Sequence, residues 1–132
     1  MLTGRCLCGA VRYEVDAELG PLVNCHCQFC RRAHGAAFST MAAVPAAALH
    51  VTEGEDEIAR HAGRHFCRRC ATRLYNTTES IPDRVMLVAA SLDPEPAQPP
   101  VLHINLESKA PWYEILDGCP CFEGFPPGVS VD

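Results

Sequence analysis

Apolar and polar positions first alternate over residues 11–15, where Val11, Tyr13 and Val15 are separated by Arg12 and Glu14. That is the period of a strand with one buried face. Gly20-Pro21 break the chain before Leu22-Val23, and Arg31-Arg32-Ala33-His34 predict a single turn ended by Gly35. Residues 36–44, small and apolar, predict a buried strand. Pro45 in front of three alanines predicts a short helical turn. Leu49-His50-Val51-Thr52 reads as a strand, residues 53–56 as its turn, and Ile58-Ala59-Arg60-His61 as the strand returning beside it. A further hairpin around Gly63 leads through Arg64-His65-Phe66 into Cys67, and residues 72–76 leave it. Val85-Met86-Leu87-Val88-Ala89-Ala90 is the longest apolar run and predicts a central strand covered on both faces. Prolines at 94, 96, 99 and 100 exclude a paired strand there. Residues 101–105 give one more strand, and the tail from Gly118 is expected to wrap the surface without forming an element. Eight or nine short strands with little helix predict an all-β or β-dominated fold. One domain is expected over residues 1–132, with its core at about 3–118 and a proline- and glycine-rich tail over 119–132.

Three cysteine clusters punctuate this pattern: Cys6-Leu7-Cys8, Cys25-His26-Cys27-Gln28-Phe29-Cys30 and Cys67-Arg68-Arg69-Cys70. Two cysteines separated by one residue suit a shared external centre better than a direct sulfur-sulfur bond. Nine cysteines is an odd number, which excludes a complete disulfide framework. The seven clustered thiols arrive as two, three and two, and seven divides into four and three. A closed structural zinc takes four ligands, whereas a zinc that does chemistry takes three from the protein and leaves one position open. By spacing, the first and last clusters could together make a four-thiolate site tying residue 6 to residue 70. Gly9 can supply the positive φ of a tight metal-binding turn. The bland alternative is one filled site, with the central cysteines as reduced core residues. His26, in extended backbone between Cys25 and Cys27, points away from the face those two share and makes a poor fourth ligand.

Charge and composition narrow the function. The N-terminus lacks a charged region followed by an apolar stretch, and nowhere do eighteen apolar residues run together, so a cytoplasmic protein without a membrane partner is predicted. Seven thiolates and two zinc ions would take the formal charge of −5 to about −8. So acidic a chain argues against general nucleic-acid affinity, which rests on clustered positive charge. Its arginines nevertheless come in pairs beside the cysteines, Arg31-Arg32 and Arg68-Arg69. They either compensate thiolate charge or form an anion-binding rim for a carboxylate-bearing ligand.

Four segments, Gly4-Arg5-Cys6-Leu7-Cys8-Gly9-Ala10-Val11, Asn24-Cys25-His26-Cys27-Gln28-Phe29-Cys30-Arg31-Arg32, Phe66-Cys67-Arg68-Arg69-Cys70 and Glu107-Ser108-Lys109-Ala110-Pro111-Trp112, resemble in identity and order the glutathione-dependent formaldehyde-activating enzyme family, which includes centromere protein V. The resemblance spans about residues 3–118. It implies a complex folded sheet of short coiled hairpins, similar to methionine sulfoxide reductase B. It further implies two zinc ions per chain: a structural one on Cys6, Cys8, Cys67 and Cys70, and a second on Cys25, Cys27 and Cys30 with an open fourth position. The implied activity is a carbon-sulfur lyase reaction written in reverse, condensing a small thiol, glutathione, with formaldehyde to S-(hydroxymethyl)glutathione. The competing function is a zinc-stabilised binding module without catalytic activity. The chain departs from the family where Ala71-Thr72 follow Cys70 in place of glycine and serine, so that the turn must form without glycine. It is also shorter than the founding enzyme. Cys119-Pro120-Cys121 lies outside the family pattern, either as incidental surface thiols or in a redox role beside the zinc.

Overall fold

A computed structural model describes residues 1–127 and is mostly β-sheet, with one α-helix and no closed barrel. The chain divides into two compact units, one formed by Met1–Gly20 with Ala42–Ala97, the other by Pro21–Met41 with the described residues from Gln98 onward. No helix among the described residues is long and apolar enough to cross a membrane.

In the first unit, β1 (Leu2–Arg5), β2 (Arg12–Val15) and β5 (Leu49–Glu53) form an antiparallel sheet in the order β1-β2-β5. The alternation of residues 11–15 puts Val11, Tyr13 and Val15 in the core beside Val44, Leu74, Val85, Leu87 and Leu92, while Arg12 stays exposed. Tyr13 is buried completely enough to need a partner, and its hydroxyl meets Ser91 Oγ at 2.6 Å. Gly4 is opposite Tyr13 in the β1-β2 register, and a Cβ there would stand 2.2 Å from the tyrosine ring, so only glycine fits. The second sheet of this unit takes residues 42–45 of β4 (Ser39–Pro45) and then, in spatial order, β9 (Arg84–Val88), β8 (Arg73–Asn76), β7 (Arg64–Cys67) and β6 (Ile58–His61). Strand β9 lies between β4 and β8, as the apolar run of 85–90 requires, although Ala89 and Ala90 at the end of that run belong to a 3₁₀ turn over Ala89–Ser91.

The expected hairpin of residues 49–61 does not form. Strand β5 pairs with β2, Tyr13 opposite Val51 and Val15 opposite Leu49, so that the apolar sides of the two strands share one buried face. Gly54, left-handed at φ 75°, and the 3₁₀ turn Glu55–Glu57 lead the chain into the other sheet, where β6 pairs with β7.

The second unit is smaller. Strand β3 (Val23–Cys25) lies between β10 (Leu102–Ile104), parallel to it, and residues 39–41 of β4, antiparallel to it. Helix α1 (Gln28–His34) follows β3 at once and is longer than the single turn expected at 31–35. The reason is local: Cys27 caps the helix with its sulfur, which accepts the Cys30 N–H at 3.3 Å, and Gly35 ends it in the left-handed conformation. The described tail from Gly118 forms no helix or strand, as expected, but it is held by backbone hydrogen bonds. His103 N–H donates to the Pro120 carbonyl, Phe122 N–H to that of His103 and Asn105 N–H to that of Gly124, so the tail runs along β10.

Candidate metal centres

The first cluster is assembled by two tight turns of the first unit. Cys6 and Cys8 lie in a turn after β1 where Gly9, at φ 79°, donates its N–H to the Cys6 carbonyl. Cys67 and Cys70 lie in a knuckle between β7 and β8, where Ala71 N–H donates to the Cys67 carbonyl. Ala71 adopts φ 64° in this turn, a left-handed conformation that costs an alanine free energy and that glycine would take without strain. The four sulfurs lie within 4.8 Å of one another, with Cys6 Sγ 3.6 Å from Cys8 Sγ and Cys8 Sγ 3.8 Å from Cys67 Sγ. Those separations are far beyond a disulfide of about 2 Å. They match the edge of a tetrahedron of sulfurs about 2.3 Å from a central zinc, an edge of about 3.8 Å.

Backbone amides also turn toward these sulfurs: Val11 N–H donates to Cys6 Sγ at 3.3 Å and Arg69 N–H to Cys67 Sγ at 3.4 Å. Burial pushes the Cys6 thiol up, but the Val11 amide and the contacts with Cys8 and Cys67 outweigh it and draw it down. Burial is likewise outweighed at Cys70, where hydrogen bonds from Thr72 and from neighbouring backbone bring it to about 5. At Cys8 the Ala10 amide acts downward, yet burial and the neighbouring thiols push it up to about 11.

The second cluster lies within six residues of the second unit. Cys25 ends β3, Cys27 caps α1 and Cys30 is in its first turn, and the three sulfurs again lie within 4.8 Å of one another. Cys25 and Cys30 are buried and Cys27 is half-buried. The contacts of Cys25 with Cys27 and Cys30, and then burial, push its thiol up. Cys30 is drawn down by its contact with Cys25, but Cys27 and burial prevail and push it up. Three adjacent thiols, two of them buried, cannot all ionise side by side without a cation, and a divalent metal would supply the missing charge. Each cluster therefore has the donor set, spacing and hydrogen bonding that suit a zinc ion.

His26 is between two of these cysteines in sequence, yet no histidine or carboxylate joins the three sulfurs among the described residues. Its ring is fully buried on another side, with His26 Nε2 2.8 Å from His103 Nδ1 and His103 Nε2 2.8 Å from Asp117 Oδ2. Phe38 packs against both imidazoles. Burial first, and then the charges of His103, Lys109 and Arg31, push His26 down to about 4, so it is neutral near pH 7. The Cys119 amide and His103 hold the Asp117 carboxylate below its usual range. The carboxylate then accepts the His103 Nε2–H, the other His103 nitrogen shares a hydrogen bond with His26 Nε2, and His26 Nδ1 is left buried without a hydrogen-bond partner.

Asn105 Nδ2 donates to Cys25 Sγ at 3.3 Å. Asn105, His103, Asp117 and Thr72 carry no spacing signal that would have marked them in the sequence. Cys119 and Cys121 are not brought into either cluster: Cys119 Sγ faces the Pro100 carbonyl and Cys121 Sγ the Cys119 carbonyl. Arg31 and Arg32 lie on α1 immediately after Cys30, and Arg68 and Arg69 within the knuckle.

A β-sheet protein of short strands carrying a four-thiol and a three-thiol cluster, each able to hold a metal ion, is thereby defined. The family profile of the glutathione-dependent formaldehyde-activating enzyme matches residues 1–108, and the chain belongs to that family. A protein of Halomonas elongata that bears the name of that enzyme provisionally is 33% identical over 140 residues, covering 96% of this chain and 89% of its own. A crystal structure of a Rhodobacter sphaeroides protein, 28% identical, superposes with a TM-score of 0.61 and covers 72% of this chain and 91% of its own.

Proposed function

We propose that the protein is a zinc-dependent carbon-sulfur lyase of the glutathione-dependent formaldehyde-activating type, acting on S-(hydroxymethyl)glutathione or a closely similar thiol adduct. One observation carries this reading: among the described residues three thiols gather without a fourth protein ligand, although a histidine lies between two of them in sequence. Cys25, Cys27 and Cys30 would hold the zinc, and the four-thiol cluster a second, structural one. Zinc bound there supplies the positive charge that lowers the pKa of an incoming thiol at neutral pH.

The chain's own residues keep the remaining position available and fixed. Asn105 orients Cys25 Sγ, and the Cys30 amide orients Cys27 Sγ. The hydrogen-bonded chain from Asp117 through His103 holds the His26 imidazole away from the sulfurs, so it does not occupy the place of an external ligand. In the condensing direction the thiolate sulfur attacks the formaldehyde carbon, a carbon-sulfur bond forms, and the carbonyl electron pair goes to oxygen, which takes up a proton. Lysis is the reverse.

Because glutathione and formaldehyde combine without an enzyme, the test is acceleration above that background. Exchange between formaldehyde and its glutathione adduct, followed by NMR, should be faster with wild type and return to background with Cys27→Ser. Background rates with fully zinc-loaded wild type would remove the lyase reading and leave the zinc-stabilised binding module.

A further inference from the structure

The arginines beside the two clusters have different partners. Arg68 and Arg69 both lie against Glu57, at 3.9 and 3.3 Å, while Arg5 pairs with Asp93 and Arg12 with Glu53. Arg31 and Arg32 form no ion pair with a carboxylate among the described residues, in a chain whose formal charge is −5. Arg31 donates from Nη1 to the Ser108 carbonyl at 2.8 Å and keeps its Nε buried without a partner. Among the described residues Arg32 reaches only Gln28 Oε1, at 3.4 Å.

These two side chains line a groove of about 280 Å³ together with Gln28, Gly35, Ala36 and Trp112. Trp112 is the only tryptophan and is 68% exposed, with the Arg31 guanidinium 5.9 Å from its ring centre. Lys109 fixes the loop that presents it by donating to the carbonyls of Ala110 and Tyr113. A solvent-facing indole beside two guanidinium groups that lack carboxylate partners matches a planar carboxylate joined to an amide: the arginines take the oxygens and the ring takes the flat group behind them. The volume lies below the range of pockets that enclose a whole small ligand, about 300–1,000 Å³, and suits one end of it.

Helix α1 joins the groove to the thiols. Gln28, Arg31, Arg32 and Gly35 follow the i, i+3, i+4, i+7 spacing of one helix face, while Cys27 and Cys30 occupy the neighbouring one. Gln28 and Arg31 each directly follow a cysteine, one Cα step of about 3.8 Å. In a peptide-like thiol whose cysteine is followed by one terminal residue, the carboxylate carbon lies one such step and one further bond from the cysteine Cα, roughly 5 Å.

We propose that this groove is the subsite for a carboxylate end of the substrate, so that the protein selects carboxylate-terminated, peptide-like thiols over neutral or cationic ones. The proposal rests on the reading of Cys25, Cys27 and Cys30 as the thiol's site. Trp112 reports on it directly. S-methylglutathione, which has no ionisable thiol, is titrated into the zinc-loaded full chain without aldehyde, beside analogues amidated at the glycine carboxylate or at the γ-glutamyl α-carboxylate. A saturable change in Trp112 fluorescence is expected, about tenfold weaker for one of the two amides, which identifies the end that is held, and about tenfold weaker in Arg32→Gln. Arg32 is exposed, so an unchanged unfolding midpoint provides the folding control for that variant. No saturable change, equal affinity for the acid and both amides, or wild-type affinity in Arg32→Gln overturns the proposal. The formaldehyde exchange assay separates the two readings. Background exchange removes the lyase reading while the titration still decides the groove; accelerated exchange with equal kcat/KM for glutathione and both amides removes the groove and leaves the lyase.

Discussion

The two cysteine clusters share a chemistry and differ in what they join. The four-thiol cluster closes a span from Cys6 to Cys70 and draws its donors from turns on two sheets of one unit. The three-thiol cluster spans Cys25 to Cys30 along a single strand-to-helix connection. A metal in the first would connect distant chain segments, whereas a metal in the second would add little connectivity that the backbone does not already provide. Ligand number follows the same division, with four thiols closing a tetrahedron and three leaving one vertex. A folding role and a chemical role can therefore occupy one small protein without the same metal having to serve both.

The largest expected effect comes from breaking the long-range cluster. Structural zinc sites contribute about 10–16 kcal/mol of binding free energy, comparable to or larger than the 5–15 kcal/mol net stability of a whole domain. Cys67→Ser should consequently unfold or aggregate, measured by soluble yield and circular dichroism. Cys27→Ser should keep the wild-type spectrum and lose one metal by native mass spectrometry. Equal loss of folding in both variants would erase the contrast.

Acidification sharpens it. A thiol whose pKa is raised holds its proton to higher pH, so protons displace a metal from it earlier as the pH falls. Cys25 and Cys30 are both pushed up, whereas in the other cluster Cys6 is drawn down and Cys70 lies near 5, against Cys8 near 11. The three-thiol cluster should release its metal first, in a separate step at higher pH, in a titration monitored with a chromogenic chelator. Release in one step, or in the opposite order, would contradict that ranking.

Asn105→Ala removes the one side-chain amide that holds Cys25 Sγ and should weaken metal binding at the three-thiol cluster about 10–100-fold, with the four-thiol cluster unaffected. Competition with a chelator of known affinity measures both. The smallest effect is expected at Ala71. Relieving its left-handed backbone with Ala71→Gly should stabilise the knuckle by about 0.5–1 kcal/mol, read as a rise in the thermal unfolding midpoint. A lower midpoint would mean that the turn is not strained.

What could be read from the sequence follows from how local each constraint is. The cysteine groups, the Gly35 stop, strand β6 and the knuckle before Thr72 are set by residues within a few positions of one another. The pairing of β5 with β2 was not legible, because the alternation of Leu49 and Val51 specifies a buried face and not the neighbour that shares it. Strand β1 escaped notice because its Thr3, Gly4 and Arg5 show no apolar alternation; its place depends on Gly4 fitting under Tyr13. Around the three-thiol cluster the supporting groups are distant in sequence: Asn105 is 80 positions from Cys25, and His103 is 77 from His26. No local pattern announces such contacts. The sequence argument that His26 points away from its flanking cysteines gave the direction of the ring but not the His103–Asp117 pair that receives it.

The central claim is that one cluster is closed and the other retains a position for an external thiol. Zinc K-edge X-ray absorption of the fully loaded protein counts sulfur neighbours directly. Four thiols on one metal and three on the other predict an average of about 3.5 sulfurs per zinc, rising to about 4 when glutathione is added and remaining at about 3.5 with S-methylglutathione. An average of 4 before any thiol is added, or a count that glutathione leaves unchanged, would contradict the account.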